Sequence, residues 1–518
     1  MKYMVNEILK KYNYLFYLFF LLIFTSINIS NSDFTSNIDF DLVVIYNSIQ
    51  IYSGQFQEYR DHPSYTQFLI FGFFYKILST FSFFKIDIYN FGESSNLYNR
   101  INYIYFLFKY INCLAIFFFI IFFNKILKFF FIDRATAFVL SFCILLSSSA
   151  FYTIMQLRAD IFSYLFFVIS FYFFLSFIKK PKILKIIIIS LSTILALLSK
   201  IQIIVFYFTL LFLIPFFLKY EASNLKQINE IIKKKIPSFL NIKKILGSLI
   251  LLFLILHLTL NNLPNSRFAE RKYLDLIIFS SIFFFYFVYL RLFFKNYIAT
   301  LSKIYLLIFI FIFLVLLFLN FISFIGLIKL SPYILLRISN PFYYLSVYGS
   351  DPNFSIYTQI VKIINNFTFK INYFFFVIIL ISTILSFVYV NNYKYKLYSL
   401  LFLICSLSIN FIYNFRYQET YGISLLLYLF LSLYFSLNYI NIKFKYVTLF
   451  LFFIFFINEE KHISNKLFFQ KSNMIEVCLD NEIKNFYWWW ARGLDNNFFR
   501  KICEENALTY NNFIKKIN

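Results

Sequence analysis

Glycine and proline are scarce in this chain, with 8 of each in 518 residues, and so are histidine, at 3, and cysteine, at 5. Each scarcity removes a class of protein. No glycine-rich phosphate loop, dinucleotide fingerprint or nucleophile elbow is written anywhere in the sequence. So few glycines also argue against extensive helix packing through close-approach glycine pairs. The histidines and cysteines follow no metal-ligand spacing. Charged residues make up 14% of the chain, where soluble domains carry roughly a quarter. No Asp or Glu falls in the middle of an apolar run, which removes the midplane carboxylates on which ion-coupled transporters depend.

What is present is apolar. The chain is 61% hydrophobic and 25% aromatic, arranged in repeated runs of about twenty residues, the length that crosses a bilayer core. The short alternating segments of a β-barrel are missing, so the fold class expected is an all-α polytopic membrane protein. The net charge of +24 comes from short Lys and Arg clusters between apolar runs. These mark topology and leave no basic face for nucleic acid.

The start has a basic front and an apolar stretch from about Tyr14 to Ile29 with no small-residue cleavage site after it, which reads as an uncleaved first helix. Further spans fall near Ile101–Phe123, Ala135–Tyr152, Ile161–Ile178, Ile183–Leu198 and Ile203–Leu218. Others follow near Leu246–Leu263, Leu276–Phe294, Ile304–Ile328, Tyr373–Val390, Leu397–Tyr413, Tyr421–Tyr439 and Tyr446–Ile457. The total is about 13 spans. The lysine-dense connections "KKPKILK", Lys219–Lys244, "NYKYK" and "NIKFK" fall on one side if the spans alternate, which the positive-inside rule makes cytoplasmic. The same alternation leaves no room for Gln67–Phe84 as a full crossing. It is expected to lie along the surface or dip in and return, as part of an external juxtamembrane platform. Residues 1–458 thus form the membrane domain and 459–518 a small external segment.

Charged residues converge on that external side. Asp39, Asp41, Glu58, Arg60, Asp61 and His62 crowd into about two dozen residues. An amphipathic helix opening near Asp39 would set Leu42, Ile45, Ile49 and Tyr52 against the membrane and end at Gly54. An Asp at its start is a helix cap or a general base that takes a proton from an attacking hydroxyl. Arg100, Arg158, Lys200 and Arg416 stand at external ends of different spans, where they would bind a lipid phosphate, snorkel to headgroups, or pair locally, as Arg158 would with Asp160. Cys113, Cys143 and Cys405 lie in apolar runs and read as core; Cys478 and Cys503 lie in the polar tail, where pairing is left open. The adjacent Trp488, Trp489 and Trp490 read as interfacial aromatics or as part of a sugar or acceptor surface.

The order of these features resembles the GT-C superfamily of polyprenyl-phosphate-sugar-dependent glycosyltransferases, which includes protein O-mannosyltransferases, lipid A aminoarabinose transferases and the RgtA/B/C/D-like enzymes. The likeness rests on "DFD" at Asp39–Asp41, Gly54, "DHPSYTQFLIFGFFYKI", "NLYNRINYIYFLFKYINCLAIFF", "AFYTIMQLRADIFSYLFFVISFYFF" and "NFRYQETYGISLLLYLF". It covers roughly Met1 to Leu218 and Asn414–Leu437, and it departs where the family's frequent Asp-Glu pair is Asp39-Phe40-Asp41 here. The resemblance implies a GT-C-like bundle that transfers a sugar with inversion to a glycolipid, glycan or protein acceptor, from a periplasm-facing site in a bacterial inner membrane. It implies Asp39 or Asp41 as the base, with His62, Arg100, Arg158, Lys200 and Arg416 on the donor phosphate and Asp61, Asp160 and Tyr417 in support. No cofactor is expected, although some members of the family use a divalent metal. A flippase or transporter of lipid-linked glycans and a polysaccharide polymerase or ligase stay open as alternatives.

Overall fold

A computed structural model describes residues 14–23, 25–26, 41–53, 64–81, 85–86, 97–130, 134–145, 156–222, 272–325, 392–413 and 422–437, with a few single positions between them. Regular structure among the described residues is entirely helical. The helices are α1 (Tyr14–Ile23), α2 (Asp41–Tyr52), α3 (Tyr65–Leu78), α4 (Leu97–Phe129), α5 (Arg134–Leu145), α6 (Asp160–Lys179), α7 (Ile183–Ser199) and α8 (Ile204–Glu221). After them come α9 (Lys272–Phe293), α10 (Ile298–Phe324), α11 (Tyr393–Tyr413) and α12 (Gly422–Leu437). Among the described residues, four helices are long and apolar enough to cross a bilayer, so the chain is a membrane protein. The expected spans at Leu246–Leu263 and Tyr446–Ile457, and the external segment 459–518, lie outside the described residues.

Ring contacts fix how the helices run. Phe122 of α4 meets Tyr172 of α6 at 5.7 Å and Phe173 at 6.2 Å, and Lys179 Nζ donates to the Phe129 carbonyl at 3.1 Å. Residues near 110–129 of α4 therefore run parallel to 160–179 of α6, with α5 returning between them. The 33 residues of α4 span about 50 Å at 1.5 Å each, so its first dozen overhang the start of α6 by roughly 18 Å. That overhang creates a ledge at one end of the bundle.

The opposite end is marked by lysines. The α6–α7 hairpin turns there through Lys180 and Lys182, α8 finishes at Glu221 and α11 begins beside it, with Lys394 Nζ 2.8 Å from Glu221 Oε1. Phe130, Phe217, Tyr398, Phe402 and Phe435 lock rings at this level, with centroids 5.1 to 6.4 Å apart. The first helix lies along α4: the Lys128 ammonium is 5.4 Å from the Tyr14 ring at the lysine-rich end, and beyond the helix Ser26 Oγ is 3.2 Å from Tyr110 Oη.

Proline placement explains the docking of α9. Pro215 sits inside α8 and brings no N–H, so the carbonyl of Leu211 four residues back lacks its helical donor. The Tyr286 hydroxyl supplies one at 3.1 Å, and Tyr289 donates to the next carbonyl, Phe212, at 2.9 Å.

A hairpin of α2 and α3 packs at the ledge end. Gly72 is its hinge of contact, because a Cβ there would fall onto the Ser48 carbonyl oxygen and 2.5 Å from Tyr52 Cδ2; only a hydrogen allows that approach. With 14 residues, α3 reaches about 21 Å, short of the roughly 30 Å hydrocarbon core. Its exposed side carries Phe73, Phe74, Ile77 and Phe81, a face suited to lipid. The surface-lying amphipathic helix expected from Asp39 needs correction. Described from Asp41 onwards, α2 is buried on every side from Asp41 to Ile51. Its polar groups turn onto its own backbone, with Asn47 Nδ2 donating to the Val43 carbonyl at 2.8 Å and Ser48 Oγ to that of Val44 at 2.6 Å.

Candidate functional site

The ledge end gathers the buried charge. Asp41 opens α2 and is fully buried, and its Oδ1 accepts the Leu157 N–H at 2.7 Å. This bond joins the start of α2 to the turn before α6, across 116 residues of sequence. Lys109 and Tyr105 from α4 complete its surroundings. They stand one helical turn apart on one face, with the Lys109 ammonium 4.2 Å above the Tyr105 ring. Lys109 is itself wholly buried, an arrangement that requires compensation from a counter-charge and a ring face.

Burial pushes the Asp41 carboxyl up to about 6, against the pull of the Leu157 N–H, the Lys109 charge, the Tyr105 hydroxyl and the Arg158 charge. Desolvation outweighs four stabilising partners because the carboxylate has lost all contact with water. The result is a carboxyl group more basic than an ordinary aspartate, and so better able to accept a proton.

Beside it lies a second buried pair. Asp160 begins α6, Lys200 follows α7, and the open ends of the α6–α7 hairpin bring Lys200 Nζ onto Asp160 Oδ1. Both side chains are sealed from solvent. Asp160 also stands in the first turn of its helix, where the backbone dipole favours a negative charge.

Several sequence expectations meet here and some do not. Asp41, Arg158, Asp160 and Lys200 share the ledge end. Arg158 does not pair with Asp160; its Nε donates to Gln156 Oε1 at 2.7 Å, because residues two apart at a helix start face different ways. Arg100, on the overhang, donates to the Lys85 carbonyl at 2.7 Å and is half-exposed. Asp39, Asp61, His62, Arg416, Tyr417, the Trp488–Trp490 run and the Cys478 and Cys503 positions lie outside the described residues. Cys113, Cys143 and Cys405 are buried free thiols.

Sequence reasoning missed Lys109, Tyr105, Asn112 and Gln67. Asn112 is buried, and its Nδ2 donates to the carbonyls of Thr153 at 3.1 Å and Gln156 at 3.2 Å, holding the turn that carries Leu157 and Arg158. The signal was available: Tyr105, Lys109 and Asn112 form a polar stripe at helical spacing in an otherwise apolar run. Among the described residues, no three His, Cys, Asp or Glu side chains group as metal ligands. No family model, curated protein or solved structure matches the chain.

Proposed function

We propose that the chain is a membrane glycosyltransferase that takes a sugar from a polyprenyl-phosphate donor and passes it to a glycolipid, glycan or protein acceptor. The single observation that carries this reading is the Asp41 carboxylate, raised to about 6 and ringed by Lys109, Arg158 and the Leu157 N–H at the end opposite the lysine-rich turns. By the positive-inside rule the lysine-rich end faces the cytoplasm, so the site faces outward, to the periplasm if the membrane is a bacterial inner membrane.

The chemistry is a displacement at the anomeric carbon. An acceptor hydroxyl loses its proton to an Asp41 carboxylate oxygen as its own oxygen bonds the anomeric carbon, and the bond from that carbon to the phosphate oxygen breaks. The leaving polyprenyl phosphate carries the electron pair, and Arg158 and Lys109 stabilise its charge in a medium of low dielectric. Attack opposite the leaving group inverts the anomeric centre. Asp39 competes with Asp41 for the role of base, and His62 and Arg416 remain as further phosphate ligands in this reading.

A flippase for lipid-linked glycans would use the same cations without needing a base. The two readings part on one measurement. The full chain in lipid nanodiscs, given undecaprenyl-phosphate sugars and a mixed glycolipid acceptor fraction, should release undecaprenyl phosphate, and Asp41→Asn should stop the release while the protein stays folded. Mass spectrometry of envelope glycans with and without the gene should show a missing sugar. Unchanged glycans, together with lipid-linked precursors displaced to one leaflet, would favour the flippase.

A further inference from the structure

Gln67, on the first turn of α3, is fully buried, and neither its Oε1 nor its Nε2 has a hydrogen-bond partner among the described residues. A buried side-chain amide with both atoms unsatisfied is costly and rare, and asks for a ligand. Its placement is bracketed by two contacts. The preceding Thr66 Oγ1 donates to the Leu195 carbonyl at 2.7 Å, five residues before Lys200. Phe71, one turn further along the same face of α3, stacks on Phe108 at 4.2 Å and sits edge-on to Phe162 at 5.7 Å. Phe108 adjoins Lys109, and Phe162 lies two residues beyond Asp160. The turn of α3 that carries the amide is thus packed among segments of α4, α6 and α7 that adjoin the charged groups of the ledge. Asn112, one turn along α4 from Phe108, adds a second buried amide oxygen without a partner, its nitrogen being committed to the Thr153 and Gln156 carbonyls.

An amide that offers one donor and one acceptor side by side matches a pair of neighbouring hydroxyls, each of which both donates and accepts. Phosphate, an acceptor only, would leave Oε1 unanswered, and a prenyl chain would answer neither atom. We propose that Gln67 is the sugar-reading group of this site, donating through Nε2 and accepting through Oε1 on two adjacent hydroxyls of the transferred sugar. This rests on the proposed transferase reading and assigns the sugar-recognising end of it, as distinct from the phosphate end at Lys109 and Arg158.

The test uses the full chain in nanodiscs with two separate probes: farnesyl phosphate for the phosphate end, and methyl glycosides of mannose, glucose, galactose and arabinose for the sugar end, with binding followed by ligand-observed NMR. Gln67→Met should weaken the best-bound glycoside by about tenfold, leave farnesyl phosphate binding unchanged and raise the ligand-free unfolding midpoint, because an unsatisfied amide has become apolar. Gln67→Leu, close in volume, loses both donor and acceptor and should weaken the same glycoside if the Met variant fails to fold. Farnesyl phosphate binding with glycoside affinity indifferent to both substitutions, or with no glycoside bound by the wild type, overturns the role of Gln67 and leaves the transferase reading standing. Failure of both probes on the wild type overturns the two together.

Discussion

The two ends of the bundle handle the same charged residue types in opposite ways. At the lysine-rich end, ammonium groups rest on helix C-termini: Lys179 donates to the Phe129 carbonyl, and Lys185 to those of Ser176 and Lys180 at 2.7 and 2.8 Å. The Ser176 carbonyl also takes the Lys180 N–H at 3.0 Å; all three carbonyls sit at the negative pole of a helix, where a half-exposed lysine binds them and keeps its head near water. At the ledge end, Lys109 and Lys200 are sealed among carboxylates and rings. Charge at the first end serves insertion and capping. Charge at the second costs desolvation, and chemistry on a substrate would explain why it is kept.

The comparison breaks first at Asp41. Asp41→Asn keeps an oxygen for the Leu157 N–H and removes the base, so transfer should fall by about 10²- to 10⁴-fold without loss of fold. The pH dependence has a defined sign. Because burial raises the Asp41 pKa from 3.8 to about 6, its contribution to stability is complete below the unfolded value and is lost as pH rises through about 6. The wild type should therefore gain stability on acidification across that window, while its transfer rate drops below about pH 6; the Asn variant should show neither trend. A variant that retains transfer would make Asp41 only a clasp between α2 and the Leu157 turn.

Next in size is the Asp160–Lys200 pair. Lys200→Met strands a buried carboxylate and should cost about 3–5 kcal/mol, read as a lowered unfolding midpoint in nanodiscs. Adding Asp160→Leu should restore most of the loss, since the desolvated charge is then gone. If the single variant is no less stable than the double, the pair is open to solvent and the contrast between the ends weakens.

A third substitution tests how the ledge is covered. Gly72→Ala drives a methyl into the Ser48 carbonyl and the Tyr52 ring, and overpacking of this kind costs about 1–3 kcal/mol. The α2–α3 hairpin should loosen and hydrogen exchange in α2 should rise, with the lysine-rich end unaffected.

Much of this arrangement is legible from the sequence, and its gaps have physical causes. Apolar runs and lysine-dense turns locate α4 to α8 and their alternation, because bilayer thickness and the positive-inside bias act on each segment separately. Asp41 and Arg158 fall at one end for the same reason. Lys109 escapes because a hydropathy window absorbs one lysine into the run Ile101–Phe123, and the overhang of α4 exists only relative to its neighbour α6. The partner of Asp160 escapes because proximity in sequence points to Arg158, whereas the closing of the α6–α7 hairpin brings in Lys200 from forty residues away. Gln67 reads as one polar residue on a short apolar helix until its lack of a hydrogen-bond partner among the described residues is seen.

The smallest effect should come from the lysine-rich end itself. Lys394 pairs with Glu221 at 2.8 Å, and the Tyr398 hydroxyl donates to the same Glu221 Oε1 at 3.2 Å, so this is the one described place there where a carboxylate is nearly buried. The Lys394 side chain is still 24% exposed, which screens the pair and limits its worth to about 0–1 kcal/mol. Lys394→Met should accordingly shift the unfolding midpoint by no more than a degree or two and leave transfer at the wild-type rate, since the Tyr398 hydroxyl still serves Glu221. A loss comparable to that of Lys200→Met would mean that Glu221 is stranded as Asp160 is. Both ends would then hold buried ion pairs of equal weight, and burial of charge would no longer single out the ledge as the site of chemistry.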